Sequence, residues 1–336
     1  MRRSRGKLVV RLNFDEFSRY YSIKNRKPNL FNLLLLPFVF VKHGRDSFRF
    51  LQLMKALRLD SSLNKENGCP EIELLVLCHH KDIDMLPHVI QSAINTSFNP
   101  VSKVIIVCPE KDLQLLKSES SRLDQRYGNV VFEYLTDYEL LGEELYSKML
   151  NDFPDRFGWV AQQFLTVSAV LKSGSAGVLQ VDCDTSILTP TTWLLKDGRQ
   201  VIRCSTEYHL PYYIVIQRIL GLKRVPRESH VCHQMLFQPA LLRKFLSDLQ
   251  LLDLTELYDR YLLNSNDFVN DQSRFCAKYE LYAYLLIKFN PEKVIKLKFS
   301  NISLPRKTFL ERPYEQLNQL SRNYSSISTH SYLVDL

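Results

Sequence analysis

The chain has 336 residues, 45% of them apolar and 24% charged, which suits one large α/β domain or two ordinary ones and excludes a disordered chain. Ten glycines and 14 prolines exclude a collagenous or low-complexity class. The net charge of +8 belongs to one end: residues 1–70 hold 15 Lys/Arg against 5 Asp/Glu, and residues 71–336 hold 29 against 31, a near-neutral body that argues against a nucleic-acid groove.

Residues 1–68 read as a basic N-terminal helical appendage and linker, with a second unit over 69–336. Arg45 to Leu59 places Phe48, Leu51, Met54 and Leu57 at helical spacing, with Arg49, Lys55 and Arg58 elsewhere on the wheel. Such a segment either packs on the main domain or lies on an anionic membrane surface. The longest apolar run, Leu33 to Val41, is broken by Pro37 and is roughly half of what a bilayer span needs. Seven scattered cysteines show neither zinc-finger nor redox spacing. The expected compartment is the reduced cytoplasm, with a peripheral hold on the inner face of the membrane.

An α/β rhythm starts at residue 72. Ile72 to Cys78 is a predicted strand, followed by His79-His80-Lys81-Asp82 and a helix with Leu86, Val89, Ile90 and Ala93 on one face. Val104 to Val107 is a second strand, Asp112 to Gln125 a helix, and Val130 to Leu135 a third strand. Trp159 to Lys172 is a helix that delivers the chain to a fourth strand from Val178. Alternation at this spacing predicts a parallel sheet with crossover helices, and in such sheets ligands sit beyond the carboxyl ends of the strands. Further on, Val201 to Cys204, Gln234 to Phe237 and Val294 to Phe299 are strands, while Pro239 to Leu252 and Phe275 to Phe289 are helices. A connection rich in tyrosines and basic residues joins the first two of those strands. Beyond Ser300 the pattern is irregular.

The fourth strand ends in Asp182-Cys183-Asp184. Two carboxylates one residue apart on an extended backbone point the same way, and they repel unless a cation lies between them or one stays protonated. Mg²⁺ or Mn²⁺ answers that need, because each takes one or two carboxylates together with phosphate oxygens. A plain surface turn after a strand accounts for the same three residues. Arg203, Lys223, Arg224 and Arg227 are candidates for neutralising phosphate, or form a solvated loop.

The ordered set resembles the GT-A class of nucleotide-sugar-dependent glycosyltransferases, and more narrowly a bacterial family of glycosyltransferases with a D-x-D motif, known mainly from sequence. The matching segments are Lys81-Asp82, Gly158-Trp159 through Gln162-Gln163, Leu179 to Thr185, Thr206 to His209, His230 to Phe237, Lys278 to Tyr282, and the closing Ser-Ile-Ser-Thr-His330-Ser-Tyr. They cover residues 71–336. Cys183 between the two acids is a departure. The resemblance implies a GT-A-like fold: a Rossmann-like nucleotide-binding half around a mostly parallel sheet, and a mixed acceptor-binding half. It implies Mn²⁺ or Mg²⁺ held by Asp184, Asp182 and a late histidine, His330, with Asp82, Asp182 and Gln163 toward the donor.

For an inverting reaction a carboxylate must take the acceptor's proton, and Glu280, with Asp271 behind it, is the candidate. A solvated glutamate paired with a lysine reads equally well. One of His230 and His233 is expected to face the acceptor or to make a structural hydrogen bond. The implied partners are a nucleotide-sugar donor and a glycan or lipid-linked acceptor, in cell-surface polysaccharide synthesis. A nucleotidyltransferase also uses a strand-end acid pair, but its Gly-rich phosphate loop is not seen before the first helix. A non-catalytic membrane-surface protein with a degenerate transferase fold is the third class.

Overall fold

The computed structural model describes residues 68–205, 210–221, 229–251, 253–264, 278–312, 317 and 319–330. All but the last residue of the expected appendage, together with Asp271, Lys223, Arg224 and Arg227, lies outside the described residues. Strand β1 (Ile72–Leu77) buries Ile72, Leu74, Leu75 and Val76 on both of its faces, as an unbroken apolar run requires of a central strand. A 3₁₀ turn at His80–Asp82 and helix α1 (Leu86–Thr96), with Pro87 in its first turn, lead to β2 (Val101–Cys108). Helix α2 (Leu113–Arg126) leads to β3 (Val131–Thr136).

Helix α3 (Asp137–Asp152) was not expected from apolar spacing. It is specified by a reciprocal cap: Thr136 Oγ1 accepts from the Glu139 N–H at 3.1 Å, and Glu139 Oε2 accepts from the Thr136 N–H at 2.7 Å. The helix kinks at Gly142, whose φ of 74° a residue with a Cβ rarely adopts. Helix α4 (Phe157–Lys172) is buried along most of its length and feeds β4 (Val178–Asp182), which a short turn joins to β5 (Thr185–Ile187).

The second half runs β6 (Gln200–Cys204), α5 (Leu210–Ile219), β7 (Gln234–Phe237), α6 (Pro239–Asp248), α7 (Leu254–Asn264), α8 (Tyr279–Phe289), β8 (Val294–Lys298), β9 (Asn301–Ser303), α9 (Arg306–Leu310) and β10 (Ser326–Ser328). Helix α5 lies where a plain connection was expected. The segment after Ser300, expected to be irregular, supplies two strands and a short helix.

The main sheet has the order β3-β2-β1-β4-β7, with the first four strands parallel and β7 antiparallel on β4. One apolar cluster joins Leu75, Ile105, Val107 and Val178 to α3, α4 and helices of the second half. The other joins Leu74, Val76, Val104, Ile106, Leu179 and Val181 to α1. The fold is therefore the expected mixed α/β, with a mostly parallel central sheet covered on both faces. A small sheet, β5-β10-β9, stands beyond the carboxyl end of β4, with β10 antiparallel to β5 and parallel to β9. That sheet brings residue 330 back to the acid pair.

Among the described residues no helix is long and apolar enough to cross a membrane. The six described cysteines are buried.

Candidate active site

The acid pair does not keep the extended geometry expected of it. Strand β4 ends at Asp182, and Cys183 and Asp184 form a turn before β5 begins at Thr185. The i and i+2 alternation holds only while the backbone stays extended, so the two carboxylates face different partners. Asp182 Oδ1 accepts from Lys278 Nζ at 2.8 Å, Tyr279 Oη at 2.9 Å and Gln180 Nε2 at 2.9 Å. Its Oδ2 lies 3.2 Å from His233 Nδ1. Asp184 Oδ2 lies 3.0 Å from His330 Nδ1, and its Oδ1 accepts from Thr185 Oγ1 at 3.1 Å.

His330 is held there by the chain just before it. The Thr329 N–H donates to the Asp184 carbonyl at 2.8 Å, and Thr185 Oγ1 and Ser328 Oγ are 2.9 Å apart between β5 and β10. Residues 146 positions apart thus meet through backbone pairing rather than through a long side chain reaching across a gap. The His233 and His330 rings are 5.2 Å apart, so the four side chains make one continuous patch.

Burial alone would raise the Asp182 carboxyl, but the Lys278 ammonium and the His233 contact outweigh it and hold the group well below the usual carboxylate range. Burial also opposes ionisation of Asp184. There the hydrogen bond and charge of His330, helped by His233, outweigh both burial and the repulsion from Asp182.

Other predicted residues fall at varying removes. Asp82 lies in the turn after β1, where its carboxylate pairs with the Arg306 guanidinium and its carbonyl accepts from Cys183 Sγ at 3.6 Å. It therefore adjoins the acid pair. Gln163 is buried on α4, and its Oε1 has no hydrogen-bond partner among the described residues. Arg203 is not on a solvated loop: it is 2% exposed, stacks over Trp193 at 5.4 Å and donates to Thr191 Oγ1 at 2.9 Å.

Glu280 was expected either as the base or as a solvated glutamate paired with a lysine, and the solvated setting does not hold. It is fully buried rather than solvated, and its Oε1 accepts from Tyr213 Oη at 3.1 Å, Ser229 Oγ at 3.0 Å and the His230 N–H at 2.8 Å. Those bonds tie α5, α8 and the approach to β7 together. The groups at the start of α8 that reach the acid pair are its neighbours Lys278 and Tyr279.

Sequence reasoning missed Lys278 and assigned His233 no place beside the acids. His233 stands opposite Asp182 because β7 pairs antiparallel with β4, placing Gln234 opposite Val181. Its carbonyl accepts from the Asp182 N–H at 2.8 Å, and its φ of 56° is unusual for a residue with a side chain. Both lie in segments that carry the resemblance, but their place beside the acids depends on which strand or helix end lies against β4.

A second group offers ligand atoms. His79, His80 and Asp112, at the carboxyl ends of β1 and β2, place one ligand atom each within 4.8 Å of one another. His80 Nδ1 is 3.2 Å from Asp112 Oδ2, and the same oxygen accepts from the His80 N–H at 3.1 Å. Burial, followed by the neighbouring His80, lowers the His79 pKa and favours its neutral form, which is the form that binds a metal.

No protein-family model and no curated protein matches the sequence. Among solved structures, the chain is similar to mouse xyloside xylosyltransferase 1 in its apo form, at 12% identity and a TM-score of 0.38, covering 79% of this chain and 99% of that one. It is also similar to the galactosyltransferase LgtC in complex with donor and acceptor sugar analogues, at 9% identity and a TM-score of 0.40, covering 77% and 87% of the two chains. An active-site mutant of LgtC gives 10% identity and a TM-score of 0.39, covering 76% and 86%.

Proposed function

We propose that the protein transfers a sugar from a nucleotide-sugar donor to a glycan or lipid-linked acceptor, with a divalent cation at the carboxyl end of β4, in cell-surface polysaccharide synthesis. The observation that supports this most is the meeting of Asp184 and His330, 3.0 Å apart beside Asp182 at the edge of a parallel sheet where α/β proteins bind nucleotides. A carboxylate oxygen and an imidazole nitrogen suit Mn²⁺, and the carboxylate alone suits Mg²⁺. Asp184 and His330 are the residues that would hold the ion, with Asp182 beside them and its carboxylate occupied by Lys278, Tyr279, Gln180 and His233. The bound ion supplies positive charge where the leaving diphosphate develops negative charge.

The protein's own contribution is to present that edge partly dry. Asp184 and His330 are largely buried, with side chains 24% and 13% exposed, so charge interactions there are stronger than in water. Asp82 and Arg306 border the same edge on the β1 side. The narrower likeness to the bacterial D-x-D family belongs to this proposal, as does the role of Glu280. With its surroundings as described, Glu280 serves as an anchor between α5 and α8 in place of the expected base.

A panel of UDP-, GDP- and CMP-sugars tests the proposal, scored for Mn²⁺-dependent thermal stabilisation and for slow release of free sugar. One donor class that stabilises the protein only with metal and is slowly hydrolysed is expected. Nucleoside triphosphate binding without any nucleotide-sugar response points to a nucleotidyltransferase instead, and no response to either points to a non-catalytic protein.

A further inference from the structure

The two acids differ in how completely their oxygens are used. Oδ1 of Asp182 receives three donors, from Lys278, Tyr279 and Gln180, which exhausts the lone pairs of one carboxylate oxygen. Its Oδ2 is already within 3.2 Å of the His233 ring nitrogen. Lys278 itself is almost wholly enclosed, its side chain 5% exposed, and its ammonium lies 4.5 Å from the Tyr279 ring centre. Among the described residues Asp184 meets no lysine or arginine in a salt bridge, and its carboxylate oxygens contact Thr185 and His330.

An enclosed lysine–carboxylate pair seldom adds net stability over an apolar pair of the same size. Here it stands on Asp182, two residues before Asp184, whose carboxylate meets His330. We propose that Lys278 is a cation built into this site: its ammonium satisfies Asp182, leaves the divalent ion to Asp184 and His330, and stands as a second fixed positive charge facing the donor's diphosphate. This rests on the metal-site reading given above. The chemistry is electrostatic, since an ammonium held at the edge of the site needs no rearrangement as charge develops on the leaving group. It also repels a divalent ion, so the site binds metal more weakly than two free carboxylates do.

That repulsion gives the inference a sign that a purely structural lysine lacks. Mn²⁺ affinity of the full chain without donor, measured by calorimetry, is expected to tighten on the order of tenfold in Lys278→Met, because one like charge is removed. Lys278→Arg keeps the charge and is expected to stay within about threefold of wild type. Asp182→Asn leaves the ammonium uncompensated and is expected to weaken Mn²⁺ on the order of tenfold. The double variant Asp182→Asn/Lys278→Met removes both charges and should return to within about threefold of wild type. Equal or weaker Mn²⁺ binding in folded Lys278→Met overturns the inference. If that variant fails to fold, a double variant whose Mn²⁺ affinity falls below that of Asp182→Asn alone overturns it equally. Wild-type protein that binds no Mn²⁺ overturns the metal-site reading and this inference with it, an outcome distinct from binding that fails to tighten.

Discussion

Replacing Asp184 by Asn removes one negative charge while nearly preserving size. In the apo protein the loss is the hydrogen bond to His330, worth about 1 kcal/mol. Because Lys278 already compensates Asp182, little carboxylate repulsion is relieved in exchange. For a chain of this size that corresponds to about 2 °C or less in Tm. The effect on metal is far larger. At a Mn²⁺ concentration about 100 times its Kd, the wild-type protein gains about 2.7 kcal/mol, or roughly 5 °C. The Asn variant should lose nearly all of that gain, since loss of even an outer partner of a metal ligand costs 10–100-fold in affinity.

The assay is thermal unfolding at pH 7.5 with and without Mn²⁺, backed by calorimetry. The Asp184 carboxyl lies below the usual carboxylate range in the folded protein, so it is ionised at that pH and the variant reports a lost ligand, not a changed protonation state. Its ionised form contributes stability above the unfolded carboxylate pKa, and that contribution fades only as pH falls through the lower folded value. An Asn variant that keeps the full Mn²⁺-dependent rise in Tm would refute the assignment of Asp184 as ligand.

Glu280→Gln keeps an oxygen for the Tyr213, Ser229 and His230 donors but removes the charge that strengthens those bonds, and should lower stability by about 1–3 kcal/mol in denaturant unfolding with turnover within about tenfold of wild type. A loss of turnover of roughly 10²–10⁴-fold at unchanged stability would restore it as the proton-abstracting base. His80→Ala should weaken Zn²⁺ binding at the His79–His80–Asp112 group by about tenfold or more, read by competition with a chromophoric chelator, and leave the Mn²⁺ response of Asp184 intact. For the basic segment, the full chain should sediment with anionic liposomes at low salt and release at high salt, while a chain starting at Pro70 stays in the supernatant. Indifference of both chains to liposomes at low salt removes the membrane reading.

The parallel half of the fold was legible in the sequence because its strands are short branched apolar runs and its helices carry one apolar face. Ile72–Leu77, Val101–Cys108 and Val178–Asp182 announce themselves by composition alone. Helix α3 went unread, because what specifies it is the Thr136–Glu139 cap and not an apolar periodicity. Asp182 and Asp184 stood out as a pair, and His330 as a late partner by resemblance. What the acids face was not legible. Lys278 and His233 lie 96 and 51 positions from Asp182, and they reach it because the start of α8 lies beside the end of β4 and β7 pairs with that strand. Glu280 and Tyr279 are adjacent in sequence, yet one is sealed in the core and the other touches the acid, because neighbouring residues on a helix point about 100° apart. A sequence states which residues are available; which of them share a point in space depends on strand pairing and helix rotation, which belong to the tertiary structure.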